Sequence, residues 1–197
     1  LKSLPKREII CGYGEILKHS LISDKNFFLF LNKNGSKILK LESPLIEKAI
    51  YQSCMIKKKV VESDEKEIGL RKILNFGHTF AHSYEATLGY SQKLNHGEAV
   101  ILGLKTAAKF SKLNKILHIK EYELIENHLL KLKLPNNINK FFIKSDLKKI
   151  LLFMKKDKKN NTKKINLVLL KKIGCPIYKL QFNEKKINSF LNKELAK

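Results

Sequence analysis

Apolar residues recur every three or four positions along most of the chain, which is the period of an amphipathic α-helix. Capping residues, prolines and polar stretches mark where the periodic segments begin and end. The pattern predicts helices over residues 5–19, 27–31, 43–61, 97–113, 120–132, 146–154 and 184–195. The fold is therefore expected to be mainly α, with the apolar faces of the helices packed into one core.

Two short β-prone runs stand near the end of the chain. They cover residues 165–170 and 176–180, with Ile173-Gly174 between them. This arrangement predicts a small β-hairpin near residues 165–180. Earlier in the chain, Asn34-Gly35 is predicted to form a turn, because this dipeptide is typical of turns.

The length of 197 residues suits a single domain, and 43% hydrophobic residues agree with a globular protein. We expect no membrane span, because there is no apolar run of about 18 residues and no signal-peptide pattern. The three cysteines are far apart in sequence, which favours reduced thiols in the cytoplasm. Because the chain starts at Leu1 without a methionine, we interpret residues 1–197 as a fragment of a longer protein.

The net charge of +22 could indicate nucleic-acid binding. However, only Arg7 and Arg71 are arginine among 40 basic residues, and the lysines are scattered beside many asparagines and isoleucines. We interpret this as a compositional bias, and keep a basic nucleic-acid-binding module as an alternative that a steep salt dependence of duplex binding would support. In this lysine-rich chain, Arg71 predicts either a bidentate donor for carboxylate or phosphate or a structural ion pair.

Three of the six histidines lie close together in the sequence. His78 and His82 are four residues apart, which places them on one face of a helix. His96 stands at the start of a second apolar helical run. Neutral imidazoles at two helix beginnings could bind one divalent cation such as zinc. A His-x3-His pair is also common without a metal, so the residues alone leave both interpretations open.

A long motif gives the chain its resemblance to a known family. It runs Val60-Val-Glu-Ser-Asp-Glu-Lys-Glu-Ile-Gly-Leu-Arg-Lys-Ile-Leu-Asn-Phe-Gly-His78, continues to His82 and ends in His96-Gly-Glu-Ala-Val100. Together with Gly-Tyr-Gly-Glu-Ile-Leu-Lys18, this motif resembles the 3-dehydroquinate synthase family. The resemblance extends over about residues 5–174 and implies the helical C-terminal domain of that fold.

The resemblance also implies a metal site with Glu15, His78 and His96 as ligands. The chain departs from the family at Gly14 and Ala81, where the family usually has alanine and glycine. Gly14 is expected to weaken its helix, because glycine has low helix propensity. Both changes are expected to alter helix packing near the site, which keeps a degenerate, non-catalytic fragment as an alternative. The other site residues that the resemblance implies are Lys18, Lys57, Glu67, Arg71, Asn75, His82 and Lys158.

The residues by themselves support weaker statements about this set. Glu15 and Lys18 predict only an i, i+3 ion pair. Lys57, Lys58 and Lys59 predict only basic residues that complement the dipole at the C-terminus of a helix. In the basic loop after residue 154, Lys158 is preferred over Lys159 as the residue that reaches a phosphate group.

The chemistry that the resemblance implies belongs to the shikimate pathway, and so to chorismate and aromatic amino acid biosynthesis. It is an NAD- and metal-dependent carbon–oxygen lyase reaction, from 3-deoxy-D-arabino-heptulosonate 7-phosphate to 3-dehydroquinate and phosphate, in a homodimer with zinc or cobalt. Another sugar-phosphate cyclase or a metal-dependent polyol dehydrogenase of the same fold remains an alternative.

The nucleotide-binding part of such an enzyme is not recognisable in these residues. No Gly-x-Gly-x-x-Gly follows a strand anywhere in the sequence. We therefore expect NAD to be held mainly by another domain of a two-domain enzyme, with only the edge near Ser3 in contact with it. On this interpretation residues 1–197 form one metal- and substrate-binding domain that cannot turn over alone.

Overall fold

The computed structural model describes residues 1–156 and 164–196. These residues form helices joined by short connections, with one antiparallel hairpin near the end, and the mainly α prediction is confirmed. The α-helices and strands are α1 (Lys6–Ser23), α2 (Lys25–Leu39), α3 (Leu45–Ser63), α4 (His78–Thr87), α5 (His96–Leu113), α6 (Ile119–Lys131), α7 (Leu147–Lys156), β1 (Lys164–Lys172), β2 (Cys175–Asn183) and α8 (Glu184–Glu194). Short 3-10 helices cover Leu70–Asn75, Ile138–Lys140 and Lys144–Asp146.

The turn predicted at Asn34-Gly35 is wrong, because both residues lie inside α2, which is longer than the predicted 27–31. Gly35 is buried where α2 meets the residues after α6. A Cβ atom there would lie 2.6 Å from Leu132 Cδ1 and 3.0 Å from the hydroxyl of Tyr13. The glycine therefore serves a close packing contact rather than a change of chain direction.

Helix α5 is the centre of the fold. Its side chains are buried on nearly every side, and it packs against α1, α4, α6 and β1. A helix that is apolar on most of its surface, with only a stripe of lysines at Lys105, Lys109 and Lys112, is expected in such a central position. The hairpin covers another part of this core, with Leu167 of β1 paired with Leu180 of β2. It is tied to α1 by the backbone N–H of Gly174, which donates to the carbonyl of Leu21 at 2.8 Å.

Two very close helix contacts determine how α1 and α4 lie on α5. A Cβ atom on Gly103 would lie 2.3 Å from the carbonyl oxygen of Gly77, the residue before α4. A Cβ atom on Gly97 would lie 2.2 Å from Cys11 Cα in α1. Gly77 also has a φ of +78°, which glycine adopts without strain. As a result, the first turns of α4 and α5 both face the middle of α1.

None of the helices in the described part of the chain is long and apolar enough to cross a lipid bilayer.

Candidate metal centre

Three ligand-type side chains converge where α1, α4 and α5 meet. Glu15 lies in the middle of α1, His78 is the first residue of α4, and His96 is the first residue of α5. One carboxylate oxygen and one nitrogen from each imidazole lie within 4.8 Å of one another. Two imidazoles and one carboxylate form a mixed nitrogen–oxygen set that suits zinc or cobalt and leaves coordination positions open.

The imidazole of His78 is oriented by the backbone. Its Nδ1 lies 3.2 Å from the carbonyl oxygen of Phe76, which can only accept, so Nδ1 carries the hydrogen. Its Nε2 lies 3.6 Å from Glu15 Oε1, which is too long for a hydrogen bond. Burial and the positive charge of Lys18 lower the pKa of His78 to about 3, so the ring is neutral near pH 7. A neutral ring with Nε2 directed at a carboxylate is the state that binds a cation.

The imidazole of His96 is oriented by a buried carboxylate. Its Nδ1 lies 3.1 Å from both oxygens of Glu85 in α4. The hydrogen bond to Glu85 raises the pKa of His96 and makes its ring more basic. A histidine that donates one N–H to a carboxylate and keeps the other nitrogen for a cation is the usual arrangement of metal-binding histidines.

The carboxylate of Glu15 has two oxygens in different environments. Oε2 accepts a hydrogen bond from Lys18 Nζ at 2.7 Å. Oε1 is buried and has no hydrogen-bond partner among the described residues. Burial acts to raise the pKa of Glu15, but the charge and hydrogen bond of Lys18, together with the nearby His78 and His19, outweigh it and the pKa is lowered. The group is thus an ionised carboxylate with one buried, unsatisfied oxygen, which a divalent cation would satisfy.

Lys18 and Lys57 bring positive charge to the same place. Lys18 is only 4% exposed, although it carries an ammonium group. Burial lowers the pKa of Lys18, and the nearby charge of Lys57 from α3 lowers it further, while Glu15 opposes both. Lys57 itself is exposed. The two lysines lie where they could bind the anionic groups of a substrate at the metal centre.

His82 lies beside the three-residue cluster and outside it. Its ring centre is 5.4 Å from that of His78 and 6.3 Å from that of His96. The ligand set found in the described residues contains Glu15, His78 and His96 and omits His82. Because His82 is exposed one turn further along α4, it is available to a molecule bound over the cluster.

The segment before α4 is ordered by one carboxylate. Asp64 accepts hydrogen bonds from the backbone N–H groups of Ile68, Gly69 and Arg71, at 2.9, 2.7 and 2.9 Å. The bond from the Arg71 backbone is the largest cause of the lowered pKa of Asp64. These bonds fold residues 64–71 into a compact loop that leads into the metal centre.

Three predicted substrate residues lie on this loop and the 3-10 helix after it. Asn75 Nδ2 donates to Glu67 Oε1 at 2.8 Å, and Arg71 Nη1 donates to the carbonyl oxygen of Glu65 at 2.6 Å. Both side chains are therefore held in place by the protein itself. Ser3 is exposed in the segment before α1, and Lys158 lies outside the described residues.

Sequence reasoning did not identify two residues that orient this site. Glu85 stands seven residues after His78, two helical turns further along the same face. This spacing could have predicted that Glu85 lies near the site. His19 is buried in α1, one turn after Glu15, and its Nδ1 lies 2.7 Å from Ser53 Oγ in α3. This bond ties the helix of Glu15 and Lys18 to the helix of Lys57.

Solved structures with the same fold have low sequence identity to the chain. The 2-epi-5-epi-valiolone synthase of Streptomyces hygroscopicus subsp. jinggangensis, solved with NAD+ and Zn2+ bound, matches with a TM-score of 0.82 at 20% identity, over 98% of this chain and 53% of that one. A 2-deoxy-scyllo-inosose synthase, solved with carbaglucose-6-phosphate, NAD+ and Co2+, matches with a TM-score of 0.77 at 22% identity, over 98% and 54%. These likenesses confirm the predicted fold.

Curated sequence relatives have higher identity to the chain than these solved structures do. The 3-dehydroquinate synthase of Pelagibacter ubique is 73% identical over 197 residues, which are 100% of this chain and 54% of that protein. The one from Alkaliphilus metalliredigens is 44% identical over 169 residues, 86% of this chain and 46% of that protein. The chain thus spans about half the length of these curated relatives. Residues 12–160 match the family model described as 3-dehydroquinate synthase C-terminal. The chain therefore belongs to the 3-dehydroquinate synthase family.

Proposed function

We propose that residues 1–197 are the metal- and substrate-binding domain of a two-domain 3-dehydroquinate synthase. The enzyme would convert 3-deoxy-D-arabino-heptulosonate 7-phosphate to 3-dehydroquinate and phosphate, in the cytoplasm and as a homodimer. The observation that carries the proposal is the convergence of Glu15, His78 and His96 within 4.8 Å, in a chain 73% identical to a 3-dehydroquinate synthase.

The donor set fits a divalent metal, zinc or cobalt. Glu15 would bind it through Oε1, and the two histidines through Nε2, because Nδ1 of each ring is committed to Phe76 or Glu85. When bound there, the metal supplies Lewis-acid polarisation of a substrate oxygen. Lys18 keeps the other oxygen of Glu15 occupied, so the carboxylate offers the metal a single, fixed oxygen.

The cationic and amide side chains around the cluster suit a substrate with both a carboxylate and a phosphate group. Arg71 can present a planar donor fork, and Lys57 and Lys18 present ammonium groups. Asn75, held by Glu67, offers a neutral donor at the beginning of α4. We assign to His82, beside the cluster, the transfer of a proton to or from a bound molecule. We assign Lys158 to the phosphate group by family resemblance alone.

NAD, when bound, would supply hydride-transfer chemistry, and we assign most of its binding site to the remaining half of the protein. In the described residues the sheet is an antiparallel hairpin, which lacks the strand–glycine loop–helix unit of dinucleotide sites. Ser3, exposed before α1, is the residue of this chain that we assign to the edge of the NAD site.

A turnover assay on the full-length protein and on residues 1–197 alone tests this proposal. With 3-deoxy-D-arabino-heptulosonate 7-phosphate, NAD and Zn2+ or Co2+, the full-length protein should release phosphate and 3-dehydroquinate, identified by mass spectrometry. The isolated chain should form no product. A different carbocycle from a different sugar phosphate would assign the protein to a sister activity, and steady turnover by residues 1–197 would refute the division of labour between the domains.

A further inference from the structure

The guanidinium of Arg7 makes four hydrogen bonds, two to Glu98 in the first turn of α5 and two to the loop just before that helix. Nε donates to Glu98 Oε1 at 2.9 Å, and Nη2 to Glu98 Oε2 at 2.5 Å. Nη1 donates to the carbonyl oxygen of Gln92 at 2.7 Å, and Nη2 to that of Lys93 at 3.1 Å. A guanidinium has five N–H donors in a planar fork and can make all four hydrogen bonds, whereas a lysine ammonium has only three donors. This explains an arginine here in a chain whose other cations are almost all lysine.

The partner of Arg7 is the residue that caps α5. Glu98 accepts a hydrogen bond from the backbone N–H of Asn95 at 2.9 Å, which forms a capping box around the first turn of the helix. The side chain of Asn95 in turn donates to Glu8 at 2.9 Å. Two successive residues of α1 therefore hold the two ends of the capping box, and His96 lies between them.

The close contact between α1 and α5 makes this geometry rigid. Gly97 lies directly against Cys11, so no side chain separates the two helices at this point. A Cβ atom on Gly14 would lie 2.9 Å from the carbonyl oxygen of Gly97 and 3.0 Å from the side chain of Ile101. The backbones can approach no further, and the remaining freedom is rotation and sliding of α1 over the beginning of α5. The contacts of Arg7 and Glu8 oppose both movements.

We propose that Arg7 is a positioning residue for the metal centre: by joining Glu98 to the carbonyls of residues 92 and 93, it fixes His96 of α5 against Glu15 of α1. This inference rests on the proposed metal site. Arg7 touches neither the ligands nor the space between them, so it acts through the placement of two helices. Loss of Arg7 should widen or misalign the ligand set, although all three ligand side chains would still be present.

The alternative is that Arg7 only stabilises the fold, as any charge pair between two elements does. Lys109 provides a matched comparison. It lies on the same helix α5, away from the metal centre, and donates to Glu194 of α8 at 2.6 Å. Each side chain of that pair is 16% exposed, against 40% for Arg7 and 13% for Glu98, so K109A removes the more buried of the two cations. Removal of Lys109 should therefore cost stability without moving the ligands.

The test compares R7A, R7K and K109A with the wild type in the full-length protein. Co2+ affinity is measured by titration, the ligand geometry by the visible absorption of bound Co2+, and stability by the Tm of the metal-free protein. We expect R7A to weaken Co2+ binding roughly 10- to 100-fold and to change the absorption spectrum, as loss of an outer-shell partner does. R7K should lie between R7A and the wild type, and K109A should lower Tm with unchanged affinity and spectrum.

Each result has a separate meaning. Wild-type affinity and spectrum in both Arg7 variants would overturn the positioning role and leave the metal site intact. Equal weakening in R7A and K109A would also overturn it, because the effect would then follow stability alone. If the wild type binds no Co2+, the proposed function itself fails, and the inference about Arg7 fails with it. R7K keeps the charge, so it decides the question if R7A does not fold.

Discussion

The imidazole of His128 and the imidazoles of the metal centre differ in what their nitrogens contact. His128 in α6 is fully buried, with Nε2 at 2.9 Å from the hydroxyl of Tyr13 and Nδ1 at 3.1 Å from Asn32 Oδ1. Both nitrogens therefore have a protein partner. In the metal centre, His78 and His96 each commit only Nδ1 to a protein oxygen.

The difference separates a structural imidazole from one that can bind a ligand. A neutral ring has one donor and one acceptor nitrogen, and a buried ring is stable when both are used. Around His128 the protein supplies an acceptor for one and a donor for the other. Among the described residues, the second nitrogen of each ring in the metal centre has no hydrogen-bond partner, and it lies next to a carboxylate oxygen that also has none.

The largest effect should come from replacing one imidazole of the metal centre and, as its control, the structural imidazole of His128. H78Q should abolish binding of the divalent metal and lower kcat of the full-length enzyme about 10³-fold or more, since the metal contributes several kcal/mol to transition-state stabilisation. H128Q should keep the metal. Metal content by plasma mass spectrometry and initial rates measure both. Metal loss in H128Q with retention in H78Q would reverse the roles assigned to the two imidazoles.

The next effect concerns stability and pH. Burial and the charge of Lys131 lower the pKa of His128 to about 4, from about 6.5 in an unfolded chain. The unfolded state therefore binds the proton first, and stability is lost as pH falls from 6.5 towards 4. The difference in the free energy of unfolding between wild type and H128Q should fall by about 3 kcal/mol over this range.

Urea denaturation at several pH values measures that difference. Using the variant removes the contributions of other titrating groups, because they are common to both proteins. A pH-independent difference between the two proteins would mean that the ring of His128 is not held neutral by its surroundings.

A smaller effect should follow from changing the partner of one metal ligand. E85Q keeps an oxygen near His96 Nδ1 but removes the negative charge that makes the ring basic. We expect metal affinity to fall about 10- to 100-fold with little change in Tm. E126Q is the control, because Glu126 pairs with Lys105 and Tyr122 instead. Equal affinities in E85Q and wild type would show that backbone packing alone orients His96.

The helices and the hairpin were predictable because their signal is local. A period of 3.6 residues survives in any window that packs one face on a core, and this holds for α3 and α6. The failure at Asn34-Gly35 has a long-range cause. A glycine that makes room for Leu132 looks the same in the sequence as a glycine that allows a turn. Only the packed structure distinguishes the two.

The metal cluster was predictable only through the family motif. From the residues alone, Glu15 was half of an ion pair with Lys18, and that pair is present. The ligand role that we propose for Glu15 depends on contacts with α4 and α5. Arg7 and Glu98 are separated by 91 residues, so no local pattern could connect them. The rarity of arginine, which drew attention to Arg71, applied equally to Arg7.

The departure at Gly14 also has a different meaning in the structure. A glycine in a helix was expected to weaken it. Because a Cβ atom there would lie 2.9 Å from the carbonyl oxygen of Gly97, the glycine instead permits the close crossing of α1 and α5. Ala81, the other departure, is fully buried in α4 and lies close to Gly103.

Helix α1 also fixes the number of residues between Arg7 and Glu15. Arg7 and Glu15 lie on the same continuous helix, separated by about 12 Å along its axis and slightly more than two turns. Inserting or deleting one residue between them would rotate Glu15 by about 100° relative to Arg7 and direct its carboxylate away from both histidines. Side chains that face solvent in this stretch can therefore vary, whereas the number of residues cannot.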